Sequence, residues 1–372
     1  MKVLITGGMG FIGSHTVDLL VEEGNDVRIL DNLEEQVHSG KIPEYYNRKA
    51  EFILGSVQDR EVLAKAIQDV DAVLHLAASV GVGQSMYQIN KYVSTNTQGT
   101  ANLLDVLVNE PNDVKKLVVA SSMSVYGEGK YLCEKCGPVY PAQREEERLK
   151  RREWEHECPI CRGILRPVPT DEDKPLKPTS IYAQTKRHQE EMCLLIGRTY
   201  GIPTVVLRYF NVYGSRQSLS NPYTGVCAIF SSRILNNKPP FVFEDGMQMR
   251  DFVHVRDVAK ANLLSLKNNS ANYMSINIGT GKPTSIIALA KVLLKLYGSK
   301  LQPYVSNLYR KGDIRHCFAD ISKAERYLGY KPQISLEEGL EELIEWVKSR
   351  TMEALDMFEK SFAELKGTGL VE

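Results

Sequence analysis

The sequence predicts an α/β protein with a doubly wound parallel sheet, and three observations lead to this fold class. Short apolar segments recur through the first two thirds of the chain, segments with helical spacing separate most of them, and a glycine-rich turn joins the first segment of each kind. Strands that alternate with helices form a parallel sheet covered on both faces. The predicted strands are 2–6, 26–30, 51–54, 71–77, 116–121 and 204–209.

The composition is that of an ordinary soluble protein of one or two domains. The chain has 372 residues, 46 acidic and 46 basic residues, and 43% apolar content. No apolar run approaches the roughly 20 residues that span a bilayer, and Met1 leads directly into a predicted strand instead of a signal peptide. We therefore expect a cytoplasmic protein with no membrane span. The balanced charge gives no electrostatic footprint for nucleic acid.

The glycine-rich turn indicates a bound dinucleotide. Thr6-Gly7-Gly8-Met9-Gly10-Phe11-Ile12-Gly13 lies between the first predicted strand and a helical segment over 12–23. Glycines let the backbone approach a pyrophosphate, which the free N–H groups of the helix N-terminus stabilise. Such a turn alone can simply make a tight bend, but the second predicted strand ends at Asp31, eighteen residues after Gly13 by subtraction. A carboxylate there accepts from a ribose 2′-OH and repels a 2′-phosphate, so we expect a Rossmann-type domain that binds NAD.

Tyr182-Ala183-Gln184-Thr185-Lys186 carries a candidate proton-transfer pair. Tyr182 and Lys186 are four residues apart and share one face of a helix. A free tyrosine has a pKa of about 10, and a nearby ammonium favours the phenolate. Such a pair is most often part of an amphipathic helix face. After a dinucleotide-binding segment, however, the spacing favours a catalytic base with a pKa lowered by its neighbour.

Beyond residue 211 the pattern changes to shorter segments with frequent Gly and Pro, which indicates a smaller second domain. We divide the chain into a Rossmann domain (1–130 and 168–211), an insert (131–167), a substrate domain (212–345) from which about 251–281 returns to the Rossmann domain, and a helical tail (346–372). The tail region has apolar residues at helical spacing, and we expect the last six residues to fray. These apolar residues are Leu340, Leu343, Ile344, Val347, Leu355, Phe358, Phe362 and Leu365.

The insert contains two cysteine pairs, Cys133-Glu134-Lys135-Cys136 and Cys158-Pro159-Ile160-Cys161. Paired Cys-x-x-Cys segments at this separation fit a tetrahedral site with four thiolate ligands. A pair of disulfides is the alternative, but a cytoplasmic protein rarely forms them. The sequence therefore predicts a structural zinc in a zinc-ribbon-like insert, with iron as the other metal such a site can hold. Three isolated cysteines are expected to be buried packing residues: Cys193, Cys227 and Cys317.

With these features in place, the chain resembles the extended short-chain dehydrogenase/reductase family, and within it the nucleotide-sugar epimerases and dehydratases, over nearly its whole length. Further segments that carry the resemblance are His75-Leu76-Ala77-Ala78, Asn96 with Gly99-Thr100, Ser121-Ser122-Met123-Ser124-Val125-Tyr126-Gly127, Arg208-Tyr209-Phe210-Asn211, Arg250-Asp251-Phe252-Val253-His254-Val255 and Arg310-Lys311-Gly312-Asp313.

The resemblance implies two sets of site residues and a homodimer. It implies that the NAD site is lined by Gly7, Gly10, Phe11, Ile12, Gly13, Asp31, Asn32, Ser56, Val57, Leu76, Ala77, Ala78, Asn96, Tyr182, Lys186 and Tyr209. It implies that the nucleotide-sugar is held by Ser122, Met123, Ser124, Asn211, Arg250, Arg310 and Asp313. Arginine forks suit a diphosphate physically, because they bind phosphate at two points.

By the same resemblance, Tyr182 takes a proton from a sugar hydroxyl beside Ser122 while a hydride passes to NAD and later returns. The family's dehydratases have an Asp-Glu pair after this serine, and its glucuronate decarboxylases have a Glu before Val-Tyr-Gly. Met123 and Ser124 stand at these positions, which leaves plain 4-epimerisation through a transient 4-keto sugar. Two departures from the family pattern bear on cofactor affinity. Ser56 replaces an acid near the adenine, for which Asp59 could substitute, and Val80 stands where a lysine is frequent.

Within the family the chain looks most like zinc-ribbon-containing proteins grouped with dTDP-L-rhamnose 4-epimerases. The segments that carry this narrower resemblance are 80–87 and 221–226. It implies a dTDP-6-deoxyhexose as substrate. The alternatives are a UDP-glucose/galactose 4-epimerase, a UDP-glucuronate decarboxylase, or a non-enzymatic NAD sensor that binds partners through the ribbon. A non-enzymatic protein of this kind tends to lose the Tyr or the Lys, and this chain keeps both.

Overall fold

The computed structural model describes residues 1–219, 221, 223, 225–350 and 356–372. In chain order the strands are β1 (Lys2–Thr6), β2 (Asp26–Asp31), β3 (Glu51–Leu54), β4 (Ala72–His75), β5 (Lys116–Ser122), β6 (Lys130–Cys133), β7 (Gly137–Val139), β8 (Leu165–Val168), β9 (Thr204–Tyr209), β10 (Asn211–Tyr213), β11 (Phe241–Val242), β12 (Met249–His254), β13 (Met274–Ile278), β14 (Pro283–Ser285), β15 (Tyr304–Val305) and β16 (His316–Cys317).

The α-helices alternate with the strands of the first half and dominate the second half. They are α1 (Phe11–Glu22), α2 (Glu35–His38), α3 (Arg60–Ile67), α4 (Val82–Ser85), α5 (Ile89–Tyr92), α6 (Gly99–Asn109), α7 (Glu146–Lys150), α8 (Ile181–Tyr200), α9 (Val226–Leu235), α10 (Val255–Lys267), α11 (Ile286–Leu296), α12 (Ser322–Leu328), α13 (Leu336–Ser349) and α14 (Phe358–Gly367). A π-helix over Val93–Gln98 precedes α6, and a 3₁₀ turn over Met123–Tyr126 follows β5.

The predicted fold class is confirmed. Seven parallel strands form one sheet in the order β13-β9-β5-β4-β1-β2-β3. Val3 and Ile5 pack on one face with α1 and α10, whereas Leu4 packs on the other face with α3 and α6, so successive residues of β1 serve opposite layers. The strand order reverses direction between β1 and β4, and this switch point is where open α/β sheets bind their ligands.

The strand at Met274–Ile278 pairs in parallel with β9 and extends the large sheet, as the sequence suggests. The segment before it behaves differently, because β12 pairs with β10, β14 and β16 in a separate small sheet. A second hydrophobic cluster lies among α9, α11 and α13 and includes Phe230, Leu293 and Leu343. This part of the chain therefore has a core of its own beside the large sheet.

The insert forms a three-stranded antiparallel sheet in the order β7-β6-β8. Its small core contains Tyr131, Val139 and Leu165 together with two of the paired cysteines. A core of this size contributes little stability on its own.

The end of the chain is docked, so the prediction that it frays is wrong. Leu370 and Glu372 pair with the backbone around Arg310, and the Val371 side chain is buried. Upstream, a capping box between Ser335 and Glu338 begins α13. Leu355, one of the apolar residues predicted at helical spacing, lies outside the described residues. Among the described residues, no helix combines the length and apolar character that a membrane span requires.

Candidate active site

The glycine-rich turn is a close-packed cradle at the carboxyl end of β1. Gly7 has a φ of +73°, and its N–H donates to the Leu30 oxygen at 2.8 Å. A Cβ on Gly7 would lie 2.8 Å from the Ala77 nitrogen, and a Cβ on Gly13 would lie 2.1 Å from the Gly7 oxygen. Gly10 precedes α1 and provides no side-chain cap, so the first N–H groups of this helix are available to an anion.

Asp31 ends β2 beside this turn. Its carboxylate accepts from the Met9 N–H at 3.0 Å and from the Leu33 N–H at 2.9 Å, and the residue is buried. Two backbone donors thus fix the carboxylate next to the glycine cradle. Asn32, the next predicted NAD residue, is exposed.

The loop after β3 does not support Asp59 as a replacement for the missing acid. The Asp59 carboxylate caps α3 by accepting from the Glu61 and Val62 N–H groups at 3.0 and 3.1 Å. The Ser56 hydroxyl accepts from the Gln58 N–H at 3.2 Å. These contacts are local turn and cap geometry, because Asp and Ser favour such side-chain to backbone bonds.

The loop after β4 is held mainly by Asn96 of the π-helix. The Asn96 amide accepts from the Ser79 N–H at 2.8 Å and donates to the Ser79 oxygen at 3.1 Å and to the Thr185 hydroxyl at 3.0 Å. The Ala77 N–H donates to the Thr6 hydroxyl at 3.2 Å. Asn96 is fully buried, so its amide orients the loop 76–79 against the sheet and leaves little polar capacity for a ligand.

Tyr182 and Lys186 lie on the first turns of α8. This helix begins after Ser180, whose hydroxyl accepts from the Ala183 N–H at 3.1 Å, and the Tyr182 N–H donates to the Ser85 hydroxyl at 3.0 Å. The Lys186 ammonium donates to the Ala120 oxygen of β5 at 2.9 Å. Both side chains are buried, and Lys186 lies against an interior strand of the large sheet.

The pKa of Tyr182 differs from the sequence prediction. Burial raises it to about 12, and hydrogen bonding with Ser122 only partly opposes that rise. Burial also lowers the pKa of Lys186 to about 7. The expected lowering of the tyrosine pKa by its lysine neighbour is therefore wrong for the protein alone, because desolvation disfavours both charged forms.

Ser122 is the last residue of β5 and is presented beside Tyr182. Its hydroxyl accepts from the Ser124 N–H at 3.2 Å and from the Ser124 hydroxyl at 3.0 Å, which caps the 3₁₀ turn. Met123 is buried. The turn after the serine thus carries a thioether and a hydroxyl and no carboxylate.

Arg250, Arg310 and Asp313 come together although 60 residues separate the two arginines in sequence. Asp313 contacts the Arg250 Nη2 at 3.2 Å and the Arg310 Nε at 3.0 Å. Burial alone would raise the pKa of Asp313, but the two guanidinium groups outweigh it and bring the pKa to about 2. Because a carboxylate repels phosphate, Asp313 suits the orientation of both arginines better than direct contact with a diphosphate.

Asn211 and Tyr209, two further predicted site residues, differ in whether their polar atoms already have a hydrogen-bond partner. Asn211 has a buried side-chain oxygen with no hydrogen-bond partner among the described residues, which is an unmet acceptor of the kind that a ligand satisfies. The Tyr209 hydroxyl instead donates to the Asn262 oxygen at 2.6 Å in the core. Only the ring of Tyr209 is therefore left to contact a cofactor.

The four paired cysteines converge on one point. Cys133, Cys136, Cys158 and Cys161 are free thiols whose sulfur atoms lie within 4.8 Å of one another. Tetrahedral coordination with bonds of about 2.3 Å places sulfur atoms about 3.8 Å apart. The cluster therefore has the size and chemistry of a structural zinc site.

Sequence reasoning missed a tyrosine pair that the C-terminal helix anchors. The Tyr87 and Tyr223 hydroxyls lie within hydrogen-bond distance of each other, and the Glu364 carboxylate lies 3.1 Å from the Tyr87 hydroxyl and 2.5 Å from the Tyr223 hydroxyl, so the two phenolic protons are shared among three contacts. Tyr87 lies in segment 80–87 and Tyr223 in segment 221–226, the two segments that resemble dTDP-L-rhamnose 4-epimerases. That resemblance was the only sequence feature that pointed to these tyrosines. Two other residues of the second segment, Pro222 and Thr224, lie outside the described residues.

Comparison with known proteins identifies the family. A model of the NAD dependent epimerase/dehydratase family matches residues 3–145 and 163–279, more than half of the chain, and leaves out much of the insert. A dTDP-L-rhamnose 4-epimerase of Burkholderia thailandensis is 35% identical over 93% of this chain and 94% of its own length. The chain belongs to the NAD dependent epimerase/dehydratase family, as the sequence predicts.

Solved structures agree with this assignment. The UDP-glucose 4-epimerase of Thermotoga maritima with UDP-glucose has a TM-score of 0.78 and 33% identity, and the match covers 94% of this chain and all of that one. The UDP-glucuronic acid 4-epimerase of Bacillus cereus in complex with UDP-glucuronic acid and NAD has a TM-score of 0.76 and 29% identity, and the match covers 94% and 99% of the two chains. These similar proteins act on different sugars, so family membership alone leaves the substrate open.

Proposed function

We propose that the chain is an NAD-dependent nucleotide-sugar 4-epimerase that acts on a dTDP-6-deoxyhexose such as dTDP-L-rhamnose. The observation that carries the reaction type is the buried Tyr182 beside Ser122, followed by Met123 and Ser124 where other reactions of the family need carboxylates. The similarity to a dTDP-L-rhamnose 4-epimerase supports the substrate.

The residues at the switch point fit NAD. The cradle at Gly7 and Gly13 leaves no room for a Cβ, the N-terminus of α1 suits a pyrophosphate, and Asp31 suits a ribose hydroxyl. The fixed position of the Asp31 carboxylate disfavours a 2′-phosphate and so favours NAD over NADP. NAD, when bound, supplies a hydride acceptor for the sugar carbon that returns the hydride later, and its cationic ring favours a nearby phenolate.

Tyr182 acts as the general base and then the general acid at the sugar O4. Its phenolic oxygen removes the hydroxyl proton and later gives it back, while the Ser122 hydroxyl holds O4 by a hydrogen bond. By resemblance to the family, Lys186 contacts the nicotinamide ribose and, when protonated there, adds positive potential near the phenolic oxygen. A general acid-base group of this kind contributes roughly 10²–10⁴-fold to the rate.

The absence of a carboxylate at positions 123 and 124 favours epimerisation over the related reactions. Elimination of water requires an acid that protonates the leaving hydroxyl, and a methionine and a serine cannot do so at neutral pH. UDP-glucuronate decarboxylation is the second candidate in the family, and the same turn lacks the glutamate that those enzymes carry.

The half-exposed guanidinium of Arg310 is suited to bind the diphosphate, whereas Arg250 uses both Nη atoms for Asp313 and backbone oxygens and contributes mainly its positive charge. The unpaired oxygen of Asn211 is suited to accept from a donor of the substrate. Asp313 fixes the orientation of both guanidinium groups. This arrangement explains how one carboxylate can belong to a site for an anionic ligand.

Zinc, when bound by the four cysteines, is structural in this proposal. Four thiolates fill the tetrahedral shell and leave no position for water or substrate, and proton transfer by Tyr182 needs no Lewis acid. The predicted role is to hold the small insert in one conformation.

A panel of dTDP-, UDP- and GDP-sugars tests the proposal. Purified protein with no added reductant is mixed with each sugar, and the products are followed by NMR. We expect a C4 epimer, with kcat/KM higher for dTDP-L-rhamnose than for UDP-galactose. A 4-keto-6-deoxy product or release of carbon dioxide would refute 4-epimerisation, and a clear preference for UDP-galactose would refute the substrate assignment.

A further inference from the structure

The insert is joined to the loop that carries Arg310 and Asp313 by buried charges. Both Nη atoms of Arg144 in the insert donate to the Glu244 carboxylate, at 2.9 and 2.7 Å. The same guanidinium donates to the Asp313 backbone oxygen at 3.2 Å. The side chains of Arg144 and Glu244 are only 3% and 1% exposed. A two-point ion pair that is shielded from water fixes direction as well as distance.

Glu155 makes a second connection, just before the second cysteine pair. Its carboxylate accepts from the Arg315 Nε at 2.9 Å and Nη2 at 2.5 Å, and it lies 3.0 Å from the His316 Nε2. Arg315 also contacts Glu244 at 3.0 Å, so both connections share one acidic residue of the substrate domain. The Arg315 side chain is 1% exposed.

Glu128 makes a third connection at the base of the insert. Its carboxylate accepts from the Arg315 backbone N–H at 2.7 Å and lies 3.0 Å from the His156 ring. The Arg315 side chain is therefore held by Glu155 within the insert, and its backbone is held by Glu128 just before the insert. Removing one partner of such a buried pair leaves an uncompensated charge, which destabilises the contacts around it.

The loop held in this way directly supports the predicted diphosphate arginines. Arg250 donates to the Arg315 oxygen at 2.9 Å and to the Ile314 oxygen at 2.7 Å, and Asp313 contacts both Arg250 and Arg310. A shift of residues 313–315 would change the direction of both guanidinium groups. Tyr182 and Lys186 are instead held by Ser85 and β5, and among the described residues neither makes a hydrogen bond to this network.

We propose that the insert is a positioning element for the nucleotide-diphosphate site, in which Arg144 and Glu155 set substrate affinity through the loop 310–316. The inference rests on the proposed function for the roles of Arg250 and Arg310. Neither Arg144 nor Glu155 needs to touch the substrate. They are positioning residues, and their loss affects binding while the proton transfer at Tyr182 continues.

Three variants, Arg144→Met, Glu155→Gln and Arg144→Lys, and one control test this assignment. Arg144→Met removes the buried guanidinium, and Glu155→Gln keeps the shape of a half-exposed side chain while removing its charge. Arg151→Met is the matched control, because Arg151 lies in the same insert and pairs only with the exposed Glu153 in the described contacts. The readouts are KM and kcat for the substrate found in the sugar panel, the Kd for dTDP and for UDP by calorimetry, and the NAD content of the purified protein.

We expect Arg144→Met and Glu155→Gln to raise KM and the Kd of the bound nucleotide by between about twofold and thirtyfold, with kcat and NAD content near those of wild type. Arg151→Met should match wild type, and Arg144→Lys should recover part of the affinity because it restores the charge without the two-point geometry. Unchanged KM and Kd in folded Arg144→Met and Glu155→Gln, with an active wild type, would overturn this inference alone. A wild type that binds neither dTDP nor UDP would overturn the proposed diphosphate site and this inference with it.

Discussion

The proposed site has two parts that differ in their electrostatics: the proton-transfer region (Tyr182 and Lys186) and the arginine region (Arg250, Arg310 and Asp313). Tyr182 and Lys186 are buried with little charge compensation. Burial raises the pKa of Tyr182 and lowers the pKa of Lys186, so it favours the neutral form of both side chains. Asp313 is partly buried, but two guanidinium groups hold its pKa at about 2, so it stays ionised. A bound ligand can therefore change the protonation of Tyr182 and Lys186, whereas the ion pairs in the arginine region keep its side chains charged.

We expect the largest loss of activity from a substitution at Tyr182. Tyr182→Phe should lower kcat by roughly 10²–10⁴-fold, because it removes the group that exchanges the O4 proton. KM and the NAD content should stay close to wild type, since the arginine region and the glycine cradle are untouched. Steady-state kinetics and the absorbance of the purified protein measure these quantities. Turnover near that of wild type would mean that another residue is the base.

Lys186→Met should lower both the turnover and the NAD content of the purified protein. Tyr182→Phe should lower turnover alone, so the NAD content distinguishes the two variants. The ammonium is expected to act both on the phenolate and on the nicotinamide ribose. Quantifying NAD released from denatured wild type and variant is the measurement. If the variant kept full NAD content and lost only turnover, the lysine would have no role in cofactor binding.

The shifted pKa of Lys186 predicts a pH dependence of stability. Its pKa is about 7 in the folded chain and about 10.4 in an unfolded one, so the unfolded state binds more protons between these values. Its contribution to the free energy of unfolding therefore rises with pH over this window. Relative to Lys186→Met, the wild type should gain roughly 1 to 3 kcal/mol between pH 7 and pH 9.5. Parallel denaturant titrations at the two pH values measure the difference, and a constant gap would contradict the lowered pKa.

Loss of the metal should have a smaller effect, confined to the arginine region. Cys161→Ser removes one ligand from the insert that holds Glu155 and Arg144, so the insert should loosen while the seven-stranded sheet persists. We expect one zinc per chain in wild type and less in the variant, with a KM increase of about twofold to thirtyfold and an unchanged NAD content. Metal analysis and kinetics on the same sample decide this. No zinc or iron in the wild type, or a variant that unfolds as a whole, would refute a local structural role.

Features of the site that arise from local sequence patterns could be predicted, whereas features that depend on contacts between distant segments could not. The glycine cradle and the Tyr182 to Lys186 spacing are local patterns, and Asp31 follows the cradle at a characteristic sequence distance, so these features could be predicted from the sequence. The Arg144 to Glu244 pair joins residues 100 positions apart, so no local pattern indicates it. The direction of the Tyr182 pKa was missed for a related reason, because desolvation depends on the whole packed surroundings and outweighs one neighbouring charge.

The docked chain end is a further long-range feature. The last residues pair with the backbone around Arg310, whereas their Gly-rich composition alone predicts fraying. Asn96 likewise matched a family position, but its hydrogen bonds to Ser79 and Thr185 can be known only when three separate segments are folded together.

The fate of the C4 hydrogen tests the central claim most directly. The enzyme is incubated in D₂O with the active nucleotide sugar and no added reductant, and both epimers are analysed by NMR. Because the same hydrogen leaves C4 as a hydride and returns to the other face, we predict equilibration of the two C4 epimers with protium retained at C4. Deuterium at C4 of the product, or formation of a product with a net change in oxidation state, would contradict an NAD-dependent 4-epimerase with Tyr182 as its acid-base group.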